Sequence, residues 1–111
     1  MAFNDDTKID IKHSSIRDKE NVQEIGMISE DIFNLRPVAF NYRNDSAKVQ
    51  QYGLIAEEVE LVFPDLVTYN EEGEPESIKY DILLILCLNE IKRQKMVIQK
   101  MVKRIEKLEI W

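Results

Sequence analysis

From Asp81 to Trp111 the chain runs 31 residues without a glycine or a proline. Nothing in that stretch breaks helical geometry, so it reads as one long helix. Its apolar residues decide what the helix does. Leu84, Ile91, Ile98 and Ile105 recur at every seventh position, and Cys87, Gln94, Met101 and Leu108 sit three further along. Those are the a and d rows of a coiled-coil seam sustained over four heptads. The alternative is a long helix lying back on its own body, although a seven-residue repeat favours a seam between equivalent helices. Isoleucine fills three of the four a positions, but the d row is mixed, so composition does not choose between two and three strands. Gln94 at d would cost stability and fix register and strand number. Lys92, Lys95 and Lys103 fall at b, e and f, where solvent and salt screen repulsion between copies.

A helix of this kind leaves only about 80 of the 111 residues for a globular body, which is marginal for independent stability. The body reads as short elements. Ile9 and Ile11 alternate with charged residues, as in a short strand or extended arm. Ser15 and Asp18 form a weak capping box for a helix running towards Ile25, ended by Gly26. Ser29 caps a second short helix that stops at Leu35, before Arg36-Pro37. Val38, Phe40 and Tyr42 alternate as a half-buried strand, with Tyr52 to Ile55 as its partner beyond the Asn44-Asp45-Ser46 turn. A helix over Ala56 to Phe63 puts Val59 and Phe63 on one face. Leu66–Tyr69 and Ser77–Tyr80 then form a hairpin around a loop carrying Gly73 and Pro75.

Charge divides the chain. The net charge is −6, but residues 1–89 hold eight basic residues against 18 acidic ones, while residues 90–111 hold seven against three. A basic tail would suit nucleic acid or an acidic partner, yet no aromatic residues interleave its lysines, and a solvated helix face explains it as well. The acidic body argues against nucleic acid as its ligand. The longest apolar run, Ile82 to Leu88, is far too short to cross a bilayer, and the first ten residues do not form a secretory signal. Cys87 has no partner for an internal disulfide and sits in an apolar run, as a reduced thiol does.

Common catalytic chemistries are poorly supplied. His13 is the only histidine, which disfavours a Ser-His-Asp triad and a multi-histidine metal site. Glu57 and Glu58 are adjacent on a helix and point about 100° apart, which is not a paired-carboxylate arrangement. Three glycines exclude the glycine-rich phosphate loops. What remains is a serine with a lysine base, for which a neutral amine takes the hydroxyl proton. Ser14 lies five residues before Lys19, and Ser15 four. Neither spacing is diagnostic, and a bend or another subunit is needed to bring Ser14 to Lys19. The plain alternative is that Ser15 caps a helix whose exposed face carries Lys19.

Four further stretches give these residues a context. Ser14-Ser15-Ile16-Arg17-Asp18-Lys19-Glu20-Asn21-Val22 is followed by Leu35-Arg36-Pro37-Val38-Ala39-Phe40-Asn41-Tyr42. Then come Tyr52-Gly53-Leu54-Ile55-Ala56-Glu57-Glu58-Val59-Glu60, Phe63-Pro64-Asp65-Leu66-Val67 and Ser77-Ile78-Lys79-Tyr80. In this order, and with the long helix after them, they resemble the C-terminal intramolecular chaperone (peptidase S74) domain of phage tail spikes, tail fibres and neck appendages. The same domain occurs in the myelin regulatory factor family. The resemblance covers residues 14 to about 95, and its most specific part is Gly53-Leu54-Ile55-Ala56 with the proline after it.

The resemblance implies an α+β body of short antiparallel strands and short helices, followed by a helix that forms a trimeric coiled coil through Leu84, Ile91, Gln94, Ile98, Met101, Ile105 and Leu108. It implies a homotrimer that aligns an upstream β-rich fibre of the same chain and then releases itself. By position, Ser14 would be the nucleophile, Lys19 its base and His13–Ser14 the scissile bond. Residues 1–13 would be the remnant of the fibre, 14–80 the self-cleaving body and 81–111 the coiled coil. Ser15 stands where many relatives carry aspartate, and is a rival nucleophile. Cleavage by an N-to-O acyl shift and by direct water attack both remain open, as does release triggered by a nucleotide or other ligand. The domain would act in the host cytoplasm during virion assembly and be absent from the mature particle. No cofactor, metal or membrane is expected. The rival reading is a trimerisation or attachment module that keeps the fold without proteolysis.

Overall fold

A computed structural model describes residues 13–109. The arm expected around Ile9 and Ile11 lies outside the described residues. The chain folds as an α+β body followed by a long helix. Strands β1 (Val38–Phe40) and β2 (Gln51–Gly53) form one antiparallel pair, and β3 (Val67–Tyr69) and β4 (Pro75–Ile78) form a second. Helix α1 (Ala56–Val62) runs between the two pairs, and a 3-10 turn at Pro64–Leu66 leads from it into β3. Helix α2 spans Tyr80–Glu109, 30 residues, or about 45 Å of axis.

The core is small. Val59 and Phe63 from α1 and its end, Leu66, Val67 and Leu86 are the buried apolar residues among those described. Leu35, Leu54, Ile78 and Leu83 close over them. The radius of gyration is 19.5 Å, against about 13 Å for a compact chain of this length. The difference is the outer half of α2, which projects beyond the body with every residue from Lys95 to Glu109 exposed.

Two elements depart from the sequence reading. No helix follows Ser15. The chain makes one 3-10 turn at Ile16–Asp18, and Asn21 then adopts φ +54°, a left-handed conformation that ends helical geometry. Ile16 and Val22 are 71% and 68% exposed, so the segment has no apolar face against the body to stabilise a helix. Gly26 opens a helix rather than closing one. At φ +78° it turns the chain into a nine-residue 3-10 helix, Gly26–Asn34, in which Ser29 lies buried instead of capping an end.

The first three strands are shorter than expected. The fourth begins at Pro75 rather than Ser77 and ends at Ile78, because Tyr80 already opens α2. Side chains organise the loops. Asp45 accepts the N–H groups of Ala47 and Val49, shaping the connection from β1 to β2. Asn70 accepts those of Glu72 and Glu74 in the β3–β4 hairpin, where Gly73 takes φ +80°. The β3–β4 register slips between Thr68 and Tyr69, so Tyr69 faces Pro75.

One close approach explains a glycine. The Tyr80 hydroxyl accepts the Leu54 N–H at 3.0 Å, and a Cβ on Gly53 would lie 2.7 Å from that oxygen. Tyr80→Phe should cost about 0.5–1.5 kcal/mol in urea unfolding. Gly53→Ala displaces the same ring, so the double variant should be less destabilised than the sum of the two. Additive losses would mean that the two positions act independently.

Candidate functional site

The Ser14–Lys19 segment is bent. Asp18 N–H donates to the Ser15 carbonyl at 3.0 Å, and Lys19 N–H to that of Ile16 at 3.2 Å. A single 3-10 turn at Ile16–Asp18 therefore separates Ser14 from Lys19, which is itself extended. Ser15 is half-buried and its hydroxyl accepts the Arg17 N–H at 3.1 Å, as a cap residue does. Ser14 is exposed, and its hydroxyl makes no hydrogen bond to a described residue. The structure therefore engages Ser15 locally and leaves Ser14 open, without joining either to Lys19. His13 Nδ1 lies 3.9 Å from Asp18 Oδ2, both on the surface.

Lys19 is exposed in the single chain, as is every residue from Ile16 to Glu24. A lysine becomes a base near neutrality only after losing water or facing another cation. The Glu58 carboxylate is engaged with Arg36. Arg36 donates from Nε to its Oε1 at 3.0 Å and from Nη2 to its Oε2 at 2.6 Å. This fork joins Leu35-Arg36-Pro37 to Gly53-Leu54-Ile55-Ala56-Glu57-Glu58, two segments distant in sequence. Hydrogen bonding to Arg36 holds the Glu58 carboxyl below its ordinary range.

The helix seam lies open. Leu84, Ile91, Ile98, Met101, Ile105 and Leu108 are between 52% and 73% exposed. The inner half of α2 does pack on its own body, but through another stripe: Leu83, Leu86 and Glu90. The two alternatives weighed for the helix thus apply to different faces. Cys87 and Gln94, both d residues, are half-buried at the border between the faces.

Glu90 holds the helix to the body and was not evident as a structural residue from its place in the repeat. Its carboxylate is 2% exposed and accepts the Ser29 hydroxyl at 2.8 Å, Arg93 Nη1 at 2.6 Å and Gln94 Nε2 at 2.5 Å. Asn89 Nδ2 donates to Ser29 Oγ at 2.8 Å and to the Gly26 carbonyl at 3.0 Å. The available signal was a carboxylate and an amide side by side at the end of the apolar run. Burial pushes the Glu90 carboxyl up, but hydrogen bonds from Gln94, Ser29 and Arg93 outweigh it and hold the group below its ordinary range. A carboxyl lowered in the folded state contributes stability above its unfolded value, about 4.3, and that contribution is lost as pH falls through the folded value. Unfolding midpoints should therefore drop as pH falls below about 4. Glu90→Gln should lower them at pH 7 and flatten this acid limb; an unaltered limb would remove Glu90 as its source.

Fold and surface together define a small α+β domain ending in a projecting helix whose apolar stripe is open. Residues 14–68 match the peptidase S74 family model, described as the chaperone of endosialidase, and the chain belongs to that family. It is a chaperone domain of a peptidase-related kind. The match covers the serine–lysine segment, the Arg36–Glu58 fork and the α1 core. No curated protein matches the chain.

Proposed function

We propose that this domain is a homotrimeric intramolecular chaperone for a fibrous protein, the upstream β-rich part of a phage tail spike, tail fibre or neck appendage. Three chains associate through the a and d rows of α2, hold the upstream ends together and release themselves by cutting at His13–Ser14. The observation that carries the reading is the imbalance of apolar surface. Five apolar residues are buried in the described chain, while 24 large ones are exposed, six of them in the seam. A contiguous stripe of that kind marks an interaction surface.

The chemistry is one turnover per chain. Ser14 Oγ attacks the His13 carbonyl carbon while neutral Lys19 takes the hydroxyl proton. The C–N bond breaks, Lys19 returns the proton to the Ser14 nitrogen, and an ester links His13 to Ser14 Oγ. Water then adds to the ester, giving the His13 carboxylate and restoring the serine hydroxyl. Direct water attack on the same bond gives the same products. Assembly would supply the walls that a single chain lacks around Lys19. Cutting would then report a completed trimer, and the loss of the chaperone would make fibre assembly kinetically hard to reverse.

The absence of a Ser14–Lys19 hydrogen bond in the single chain favours one other reading, a module that trimerises without cutting. Expression with an upstream segment separates the two. Release of a domain that forms a particle of three times 13.1 kDa is expected. A trimer that stays full-length supports the non-cleaving module.

A further inference from the structure

A groove of about 680 Å³ runs between the 3-10 helix Gly26–Asn34 and the seam side of α2. Its walls are Ile32 and Phe33 on one side and Ile91, Gln94 and Ile98 on the other. Phe33 is 63% exposed, an aromatic ring set beside the seam but contributed by the body. We propose that this groove seats the helix of a second copy in a parallel, in-register assembly. On this account body and coil form one composite interface. The inference rests on the trimeric reading above and extends it from the helix to the body.

The flanking rows of α2 argue for that occupant and that direction. With Leu84 at a, the g row reads Leu83, Glu90, Val97 and Arg104, and the e row reads Leu88, Lys95, Val102 and Glu109. In a parallel coil each g residue faces the e residue of the next heptad on its neighbour. The pairs are then Leu83 with Leu88, Glu90 with Lys95, Val97 with Val102 and Arg104 with Glu109. Two are apolar on apolar and two are opposite in charge. Leu83 packs on its own body and Glu90 is bonded within its own chain, so the argument rests on the outer pairs, Val97 with Val102 and Arg104 with Glu109.

The body lies on the g side of its own helix, since Leu83, Leu86 and Glu90 face it. A neighbour's e side therefore arrives beside Phe33. Lys95 is the e-row residue at the level of this groove, and the methylene stem of a neighbour's copy in register matches an aromatic wall.

The test is the assembly constant of the whole chain, from sedimentation equilibrium, for Phe33→Glu and Phe33→Ala. Leu61→Glu, at an 86% exposed site on α1, serves as the surface control, and circular dichroism checks the fold. The expected result is a dissociation constant raised at least tenfold by Phe33→Glu, less by Phe33→Ala, and unchanged by Leu61→Glu. Unchanged assembly in both Phe33 variants, with Ile98→Asp still dissociating the chain, overturns the groove proposal and leaves the trimer intact. A wild-type chain that is monomeric at micromolar concentration overturns both.

Discussion

Replacing Ser14 with alanine in a chain extended upstream should leave a single full-length product where the unaltered chain yields two. Removing a covalent nucleophile that works as a unit with its base costs several orders of magnitude, so the rate should fall by at least ~10³. Lys19→Arg is the sharper companion. It keeps the positive charge and the length of the side chain, but a guanidinium does not give up its proton in proteins. If Lys19 acts as the base, Lys19→Arg should be as inactive as Ser14→Ala while assembling normally. Retained cleavage in Lys19→Arg would remove the lysine from the chemistry. Ser15→Ala divides the two serines differently. Its hydroxyl accepts the Arg17 N–H, so its loss should loosen the turn and slow the reaction without ending it.

The second large effect belongs to the seam. Ile98 is an a residue, 57% exposed in the single chain, and it lies at the outer edge of the groove beside Phe33. Burying each such isoleucine in a coil is worth about 1.5–3 kcal/mol, and three meet in one layer of a trimer. Ile98→Asp replaces that gain with three facing carboxylates. The dissociation constant should rise roughly thirtyfold or more, as for a hot-spot residue, and light scattering should move from three times 13.1 kDa towards 13.1 kDa. Lys19 is exposed in the single chain, so if the proposed trimer is what encloses it, the same substitution should suppress cleavage although it lies far along the chain from Ser14. An Ile98→Asp monomer that still cuts at the normal rate would show that the site is complete within one chain.

How much of this was legible beforehand differs by element. The long helix, the two hairpins and the α1 core were readable because each depends on local pattern: a seven-residue repeat, alternation, and Val59 with Phe63 one turn apart. The helix expected after Ser15 was not there, because its capping residues were right but it had no surface to pack on. Gly26 was misread for a related reason. A glycine at positive φ both ends and begins helices, and which it does depends on what the next residues touch. Ser29 touches Glu90, 61 residues away, and that contact belongs to tertiary structure alone. The same limit applies to Arg36–Glu58 and to Gly53 with Tyr80, where the motif residues were visible but their pairing was not. At the candidate site, the structure shows a turn between Ser14 and Lys19 without joining them, and a local sequence pattern carries no information about other chains.

The most direct measurement is the intact mass and N-terminal sequence of the domain released when the chain is made with its upstream segment. The account predicts a trimeric product whose chains begin at Ser14. A single uncut mass in a well-formed trimer, or a product beginning elsewhere, would contradict it.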